Sequence, residues 1–173
     1  MPQRAVDVEE NKTARLERVY LEQLSDIRAA ERQAYDLLPR MATAADREDV
    51  ITLLRAAASE TEVQLARLDR LIEGLGLRLD DGAEAPAELL DEARRMLEGD
   101  RGDAEDVDGA LLRSARRSLR YQISGYESAC ATARRLGDFR TLDVLLLSLD
   151  EELATDSSLS DVVARRSRLL RAI

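Results

Sequence analysis

The sequence predicts an all-α protein in which four long helices pack as an antiparallel bundle, with a short extra helix in the crossover between the second and third. Helix-forming Leu, Ala, Arg and Glu are abundant, whereas the 173 residues include only 3 Pro and 8 Gly, and 3% are aromatic. Apolar residues recur at alternating spacings of three and four, as on the buried face of a helix. Two of the three connections between the long segments are short, which makes the helices that they join antiparallel neighbours.

The first long helix is predicted over about residues 12–41. The residues before it are polar and acidic, so residues 1–13 are expected to form a flexible arm and residues 14–173 a single bundle domain. Pro39 breaks the hydrogen-bond ladder near the end of this helix, because proline has no N–H to donate.

The second long helix is predicted over about residues 46–75. Asp46 is expected to be its N-cap, because a carboxylate there can accept a free backbone N–H of the first turn. Glycines mark its end. Residues 80–86 are expected to form a loop, and Pro86 can open the short crossover helix.

The third long helix is predicted over about residues 106–136, after a loop at residues 99–103, and the fourth over about residues 139–170. A tight link joins these two helices, so they form a second hairpin. Two hairpins joined by one long crossover have the connectivity of ferritin-like bundles.

Charge and composition exclude several function classes. The net charge of −9 argues against a nucleic-acid backbone or an anionic membrane surface as the partner. The chain contains no histidine and a single cysteine, Cys130, which removes His-based nucleophile systems, thiolate clusters and intrachain disulfides. No apolar run approaches the roughly 18 residues of a membrane helix, and no signal peptide is evident. We therefore expect a cytoplasmic protein whose only candidate acids, bases and metal ligands are carboxylates.

Carboxylates interrupt the apolar stripes in the middle of three helices. Glu31 lies at the centre of the stripe on the first helix, Glu60 at the inner edge of the second, and Glu152 and Asp156 within the stripe of the fourth. The polar member of the third stripe is the neutral Gln122. Buried carboxylates cost several kcal/mol unless they are paired, protonated or bound to a cation. Carboxylates gathered inside a four-helix bundle are also how di-iron and di-manganese proteins hold metal.

Four segments of the chain resemble, in the same order, the YciF/YciE-like proteins, a ferritin-like family long described as a domain of unknown function. The segments are residues 24–34 with 37–41, residues 60–68, residues 121–126, and residues 147–152 with Asp156, and the resemblance spans about residues 16–170. It implies a ferritin-like bundle, often dimeric, that is associated with bacterial stress responses. It also implies a di-metal centre whose ligands come from all four long helices.

Carried over residue by residue, the resemblance assigns Glu31, Glu60, Glu152 and Asp156 to the metal site. Glu151 competes with Glu152, and the helical stripe favours Glu152. Other ligand positions are lost: the usual histidine of the second helix falls at Ala57, a histidine of the third helix at Arg120, and its two glutamates at Leu119 and Gln122.

We therefore predict a degenerate ferritin-like protein, most simply without metal or another cofactor and not an enzyme, with a structural or stress-associated role as a homodimer. Three alternatives for the acids remain open. One hard cation could bind with water completing its shell, the acids could share protons, or they could pair with Arg28, Arg55 or Arg120. The rival function is a carboxylate-based iron or manganese protein with oxidase or peroxide-scavenging activity. An interaction module for acidic or helical surfaces is a third possibility, for which the sequence offers no groove motif.

Overall fold

A computed structural model describes residues 2–76, 85–99 and 106–170 of the chain. Its elements are α1 (Pro2–Ala44), α2 (Glu48–Gly74), a 3₁₀ turn (Ala87–Leu89), α3 (Asp91–Leu97), α4 (Val107–Leu136) and α5 (Phe139–Leu170). This order confirms the predicted all-α fold, with four long helices and a short extra helix in the crossover. Most of the predicted loops at residues 80–86 and 99–103 lie outside the described residues.

The four long helices run up, down, down and up. α1 packs against α2 and α4, and α5 packs against α4 and α2. One apolar cluster joins the middle of α1 to the C-terminal halves of α2 and α4 and to the N-terminal half of α5. A second cluster joins the C-terminal part of α1 to the N-terminal halves of α2 and α4 and to the C-terminal half of α5. All neighbouring long helices are therefore antiparallel, and α2 and α4 lie on a diagonal. One long crossover with this arrangement is the ferritin-like connectivity.

The helix ends of the second hairpin follow the sequence signals. The carboxylate of Asp106 caps α4 by accepting the backbone N–H of Gly109 at 2.9 Å. α4 ends at Leu136, and its C-cap is Gly137, whose φ of 72° is a left-handed conformation that favours glycine. The bounds of α5 are those predicted.

α1 is longer than predicted, since it begins at Pro2 rather than near residue 12. Proline is tolerated in the first turn of a helix, and the residues that follow it include good helix formers. The prediction failed because this stretch carries no apolar stripe. The flexibility of residues 1–13 and the single domain over residues 14–173 stay predictions.

The predicted N-cap of α2 is wrong. Arg47, not Asp46, occupies the N-cap position, and its side chain makes no capping hydrogen bond. Asp108 of α4 provides the acceptor instead, because its Oδ1 and Oδ2 accept the backbone N–H groups of Asp46 and Arg47 at 2.8 and 3.2 Å. The Arg166 guanidinium pairs with the same Asp108 carboxylate at 3.2 Å. One buried carboxylate thus joins the α1–α2 link, the start of α4 and the end of α5.

α3 closes one end of the bundle between α1 and α4. Its Glu92 forms ion pairs with Arg113 and Arg117 of α4, at 2.8 and 3.5 Å. α1 and α4 also approach closely at Gly125, where a Cβ atom would lie 2.8 Å from Ile27 Cγ1. No helix in the described part of the chain is both long and apolar enough to cross a membrane.

Candidate metal centre in the bundle core

A polar layer crosses the middle of the bundle, between the two apolar clusters. All four long helices contribute to it, and its members are 9% exposed or less: Glu31, Thr61, Gln64, Ser118, Gln122, Ser148, Glu152 and Thr155. This is the level at which the sequence predicts the metal ligands. Polar side chains from all four long helices meet here in the core, so the layer is the candidate functional site.

Glu31 of α1 is fully buried. The hydroxyl of Tyr126 on α4 donates to its Oε1 at 2.8 Å, whereas Oε2 has no hydrogen-bond partner within the described residues. Burial raises the pKa of Glu31 to about 7, although the Tyr126 hydroxyl and the Gln122 amide stabilise its charged form and oppose this rise. The same surroundings raise the pKa of Tyr126 well above its usual value. Glu31 is therefore poised to keep a proton near neutral pH.

Glu152 of α5 is the second interior carboxyl, and it is 3% exposed. Burial, reinforced by the negative charges of Glu31, Glu60 and Glu151, raises its pKa to about 9. No arginine is paired with either Glu31 or Glu152 among the described residues. The protein therefore favours the protonated, neutral form of Glu152.

The sequence expectation that Glu152 rather than Glu151 points inward is confirmed. Glu151 forms a two-pronged ion pair with Arg67 of α2, with N–O distances of 2.8 and 3.0 Å. It also accepts a hydrogen bond from Gln64 Nε2 at 3.3 Å. These contacts lower the pKa of Glu151, with the Arg67 hydrogen bond as the largest cause.

Asp156 and Glu60 lie at the margins of the layer. The Asp156 carboxylate contacts Arg116 Nε at 3.0 Å and Arg120 Nε at 3.7 Å, so it faces the arginines of α4. Glu60 is exposed on α2 and borders the central cavity, where Thr155 Oγ1 donates to its Oε2. Of the four predicted ligands, Glu31 and Glu152 meet in the core, Glu60 lies at its edge, and Asp156 is held in an ion pair. The alternative of arginine pairing thus applies to Asp156, with Arg116 as its principal partner.

A cavity of about 20 Å³ lies within the polar layer. Its polar wall includes Glu60, Gln64, Ser118, Gln122 and Glu152. Three buried polar atoms on this wall, Gln64 Oε1, Ser118 Oγ and Gln122 Nε2, have no hydrogen-bond partner within the described residues. A space of this size holds about one water molecule.

The donor set does not fit a two-metal centre. Within residues 2–76, 85–99 and 106–170, no three His, Cys, Asp or Glu side chains are grouped so that they could hold a metal ion. α4 brings Ser118, Leu119 and Gln122 to the cavity, and α2 brings Ala57. Two metal ions need several anionic or imidazole donors to offset four or more positive charges, whereas this layer offers mostly neutral groups.

Sequence reasoning missed Arg67 and Thr155 as partners of the site acids. Arg67 lies seven residues after Glu60, two helical turns along the same face of α2, so its spacing could have identified it. Thr155 lies three residues after Glu152 on α5, and its small hydroxyl gives no comparable signal. Tyr126 is buried in the core, where its hydroxyl donates to Glu31.

Comparison with known proteins identifies the family. The protein-family model of DUF892, described as a domain of unknown function, matches residues 15–169 of the sequence. The chain belongs to the DUF892 family. Protein YciF of Escherichia coli (strain K12) is 30% identical to this DUF892 protein over 149 residues, which are 85% of this chain and 89% of YciF.

Two solved structures are similar to this DUF892 protein. The crystal structure of the E. coli stress protein YciF has a TM-score of 0.79 and 29% identity, and the match covers 88% of this chain and 97% of YciF. YcfI from Rhodopseudomonas palustris, described as "a putative structural protein", has a TM-score of 0.75 and 31% identity, with 84% and 92% of the two chains covered. The resemblance to YciF-like proteins and the helical-bundle fold are both confirmed.

Proposed function

We propose that this DUF892 protein is a structural, stress-associated bundle without a working di-iron centre, in which the interior acids serve packing rather than catalysis. The main observation behind this proposal is that the α4 side chains at the expected glutamate positions are uncharged. Leu119 and Gln122 stand where the resemblance implies two glutamates, and Ala57 stands where it implies a histidine.

The contacts of the remaining acids support this proposal. Asp156 and Glu151 each contact arginine, so either of them could become a metal ligand only by breaking its ion pair. Glu31 and Glu152 lack such partners, and their raised pKa values favour neutral carboxyl groups. Burying a neutral carboxyl group costs less free energy than burying an ionised one, because the neutral group needs hydrogen bonds but no counter-charge.

The stress association is supported by the relatives. YciF is described as a stress protein, and YcfI is described as structural. Measuring the amount of this protein in its native host before and after osmotic and oxidative shock tests the association. An unchanged amount under both treatments would count against a stress role. A cytoplasmic location is proposed with it, in keeping with an unpaired, buried Cys130.

Thermal unfolding tests the absence of a working metal centre. The protein is stripped with a chelator, and its melting temperature is measured alone and with excess Fe²⁺ or Mn²⁺ under anaerobic conditions. Anything that binds the folded state alone raises the melting temperature, so we expect the three values to coincide. A clear rise with either metal that is abolished in Glu31→Gln would contradict the proposal.

The second candidate function is a carboxylate-based metal protein with oxidase or peroxide-scavenging activity. Unpartnered oxygens at the core, Glu31 Oε2 and Gln64 Oε1, favour it because oxygen atoms of this kind bind hard cations. It predicts that Glu31→Gln lowers both metal content and the metal-dependent rise in melting temperature.

A further inference from the structure

The cavity in the polar layer is bordered by three buried side chains that each have an unused hydrogen-bonding atom. These atoms are Gln64 Oε1 of α2, and Ser118 Oγ and Gln122 Nε2 of α4, and all three side chains are 3% exposed or less. Buried polar groups in folded proteins are almost always hydrogen-bonded, because burial without a partner removes their bonds to water and replaces them with nothing. Three such atoms around one small space indicate that a polar molecule binds there.

The contacts of Gln64 fix the direction of its side-chain amide. Its Nε2 donates to Glu151 Oε2 at 3.3 Å, and Glu151 is itself held by two hydrogen bonds from Arg67. The reverse orientation of the amide would bring its oxygen against the negative carboxylate of Glu151, which is unfavourable because both groups are acceptors. The amide oxygen of Gln64 therefore remains as an acceptor on the cavity wall.

The three atoms differ in what they can do in a hydrogen bond. Gln122 Nε2 can only donate, Gln64 Oε1 can only accept, and the Ser118 hydroxyl can do either. A water molecule has two protons to donate and two lone pairs that accept, so a single molecule can satisfy all three atoms. A cation could bind the two oxygen atoms but would be repelled by the N–H groups of Gln122, since hard cations take oxygen ligands. This set of atoms therefore favours water over a metal ion.

The size of the cavity sets the number of water molecules. Its volume of about 20 Å³ exceeds the roughly 10–15 Å³ that one buried water needs. Three partners are also the usual number for such a water. The exposed Glu60 borders the same cavity, so the route from solvent passes the side chain of a surface residue.

We propose that one water molecule is bound in this cavity, where it accepts from Gln122 Nε2, donates to Gln64 Oε1 and forms a third hydrogen bond with Ser118 Oγ. α2 and α4 lie on a diagonal of the bundle, so this water links two helices that are not neighbours. It occupies the level of the core at which the family resemblance implies metal ligands. The inference rests on the proposed function, because a metal ion in the polar layer would displace the water.

A high-resolution crystal structure of the wild type, with anomalous data at the iron and manganese edges, tests the water site. We expect one peak in the cavity, without anomalous signal and with contacts of about 2.7–3.2 Å to the three atoms. A cavity without a peak would overturn this inference and leave the proposed function standing. Iron or manganese, recognised by its anomalous signal, would overturn both. Contacts of about 2.0–2.4 Å to oxygen atoms without that signal would indicate a lighter cation and would overturn the water site alone.

Oxygen-17 magnetic relaxation dispersion tests the same site in solution, because it counts internal water molecules that exchange slowly with the solvent. Ser118→Val replaces the hydroxyl with methyl groups that fill the cavity, so this variant should lose one such molecule relative to the wild type. Ser124→Val makes the same substitution at an exposed position of α4 and should keep the wild-type number. Equal numbers in all three proteins would contradict the proposal. If Ser118→Val does not fold, the wild-type crystal structure decides the question.

Discussion

Protonation of Glu152 links the stability of the folded core to pH. Its carboxyl has a pKa of about 9 in the folded protein, against an ordinary value of 4.5. Between these values the folded protein holds a proton that the unfolded chain has released. The stabilising contribution of this proton is therefore complete below pH 4.5 and is lost as the pH rises toward 9. Glu31 adds a similar loss between pH 4.5 and about 7.

We predict that the free energy of unfolding of the wild type falls between pH 6 and pH 8, by up to about 1.4 kcal/mol per pH unit from Glu152. Glu152→Gln, a neutral side chain of the same shape, should remove this part of the slope and stabilise the protein at pH 8. Urea unfolding at several pH values measures both effects. Glu62→Gln, at an exposed position on α2, is the control and should keep the wild-type slope. A Glu152→Gln variant with the wild-type slope would show that Glu152 is ionised in the fold.

Tyr126 stabilises Glu31 through one buried hydrogen bond of 2.8 Å. Tyr126→Phe keeps the ring in place and leaves Glu31 Oε1 without its donor, so we predict a loss of about 1–3 kcal/mol in the free energy of unfolding. Tyr35→Phe is a matched control, because Tyr35 is 43% exposed, and it should change stability by less than about 0.5 kcal/mol. Equal effects of the two substitutions in urea unfolding would refute a structural role for the Tyr126–Glu31 contact.

At the scale of the helices, α2 begins where a carboxylate of another helix supplies its cap. Asp108 accepts both N–H groups at this end and also pairs with Arg166. Asp108→Ala should therefore cost about 2–4 kcal/mol of unfolding free energy, because two backbone N–H groups lose their acceptor whereas Arg166 keeps its contact with Asp106. Asp46→Ala, at the position that the sequence favours as the cap, should cost less than about 0.5 kcal/mol. The reverse ranking in chemical denaturation would mean that the local cap is the real one.

The local signals in the sequence predicted α4 and α5 well, because their determinants lie within a few residues of each other. The Asp106 cap, the left-handed Gly137 and the apolar spacing all act inside one helix or one link. The cap from Asp108 could not be predicted in this way, because it depends on how the α1–α2 link packs against α4, about sixty residues away in sequence.

In the candidate site, too, local spacing predicted some features, whereas others depend on how the helices pack together. Helical periodicity was enough to place Glu31 and Glu152 in the core and Gln122 beside them. It could not show that Asp156 contacts Arg116, since a residue on the stripe margin can face either the core or a neighbouring helix. That choice depends on the rotation of α5 against α4, which is set by packing along the whole hairpin.

For the whole molecule, two apolar clusters of the described residues lie on either side of the polar layer. The two apolar clusters above and below it join all four long helices. A bundle of this kind can keep its fold after losing metal ligands, because hydrophobic burial supplies most of the stabilisation. This explains how a DUF892 protein can share the YciF fold at a TM-score of 0.79 although Ala57, Leu119 and Gln122 stand where the family resemblance implies metal ligands.

The most direct test is the metal content of the purified protein, measured by plasma mass spectrometry before and after anaerobic reconstitution with Fe²⁺ or Mn²⁺. A variant that carries Ala57→His, Leu119→Glu and Gln122→Glu together replaces the ligands that the family resemblance implies, and it serves as the positive control. We expect far less than one equivalent of metal in the wild type and a clear gain in the triple variant. Close to two equivalents of iron or manganese in the wild type would contradict the account, because the carboxylates of the core would then be ligands rather than protonated acids.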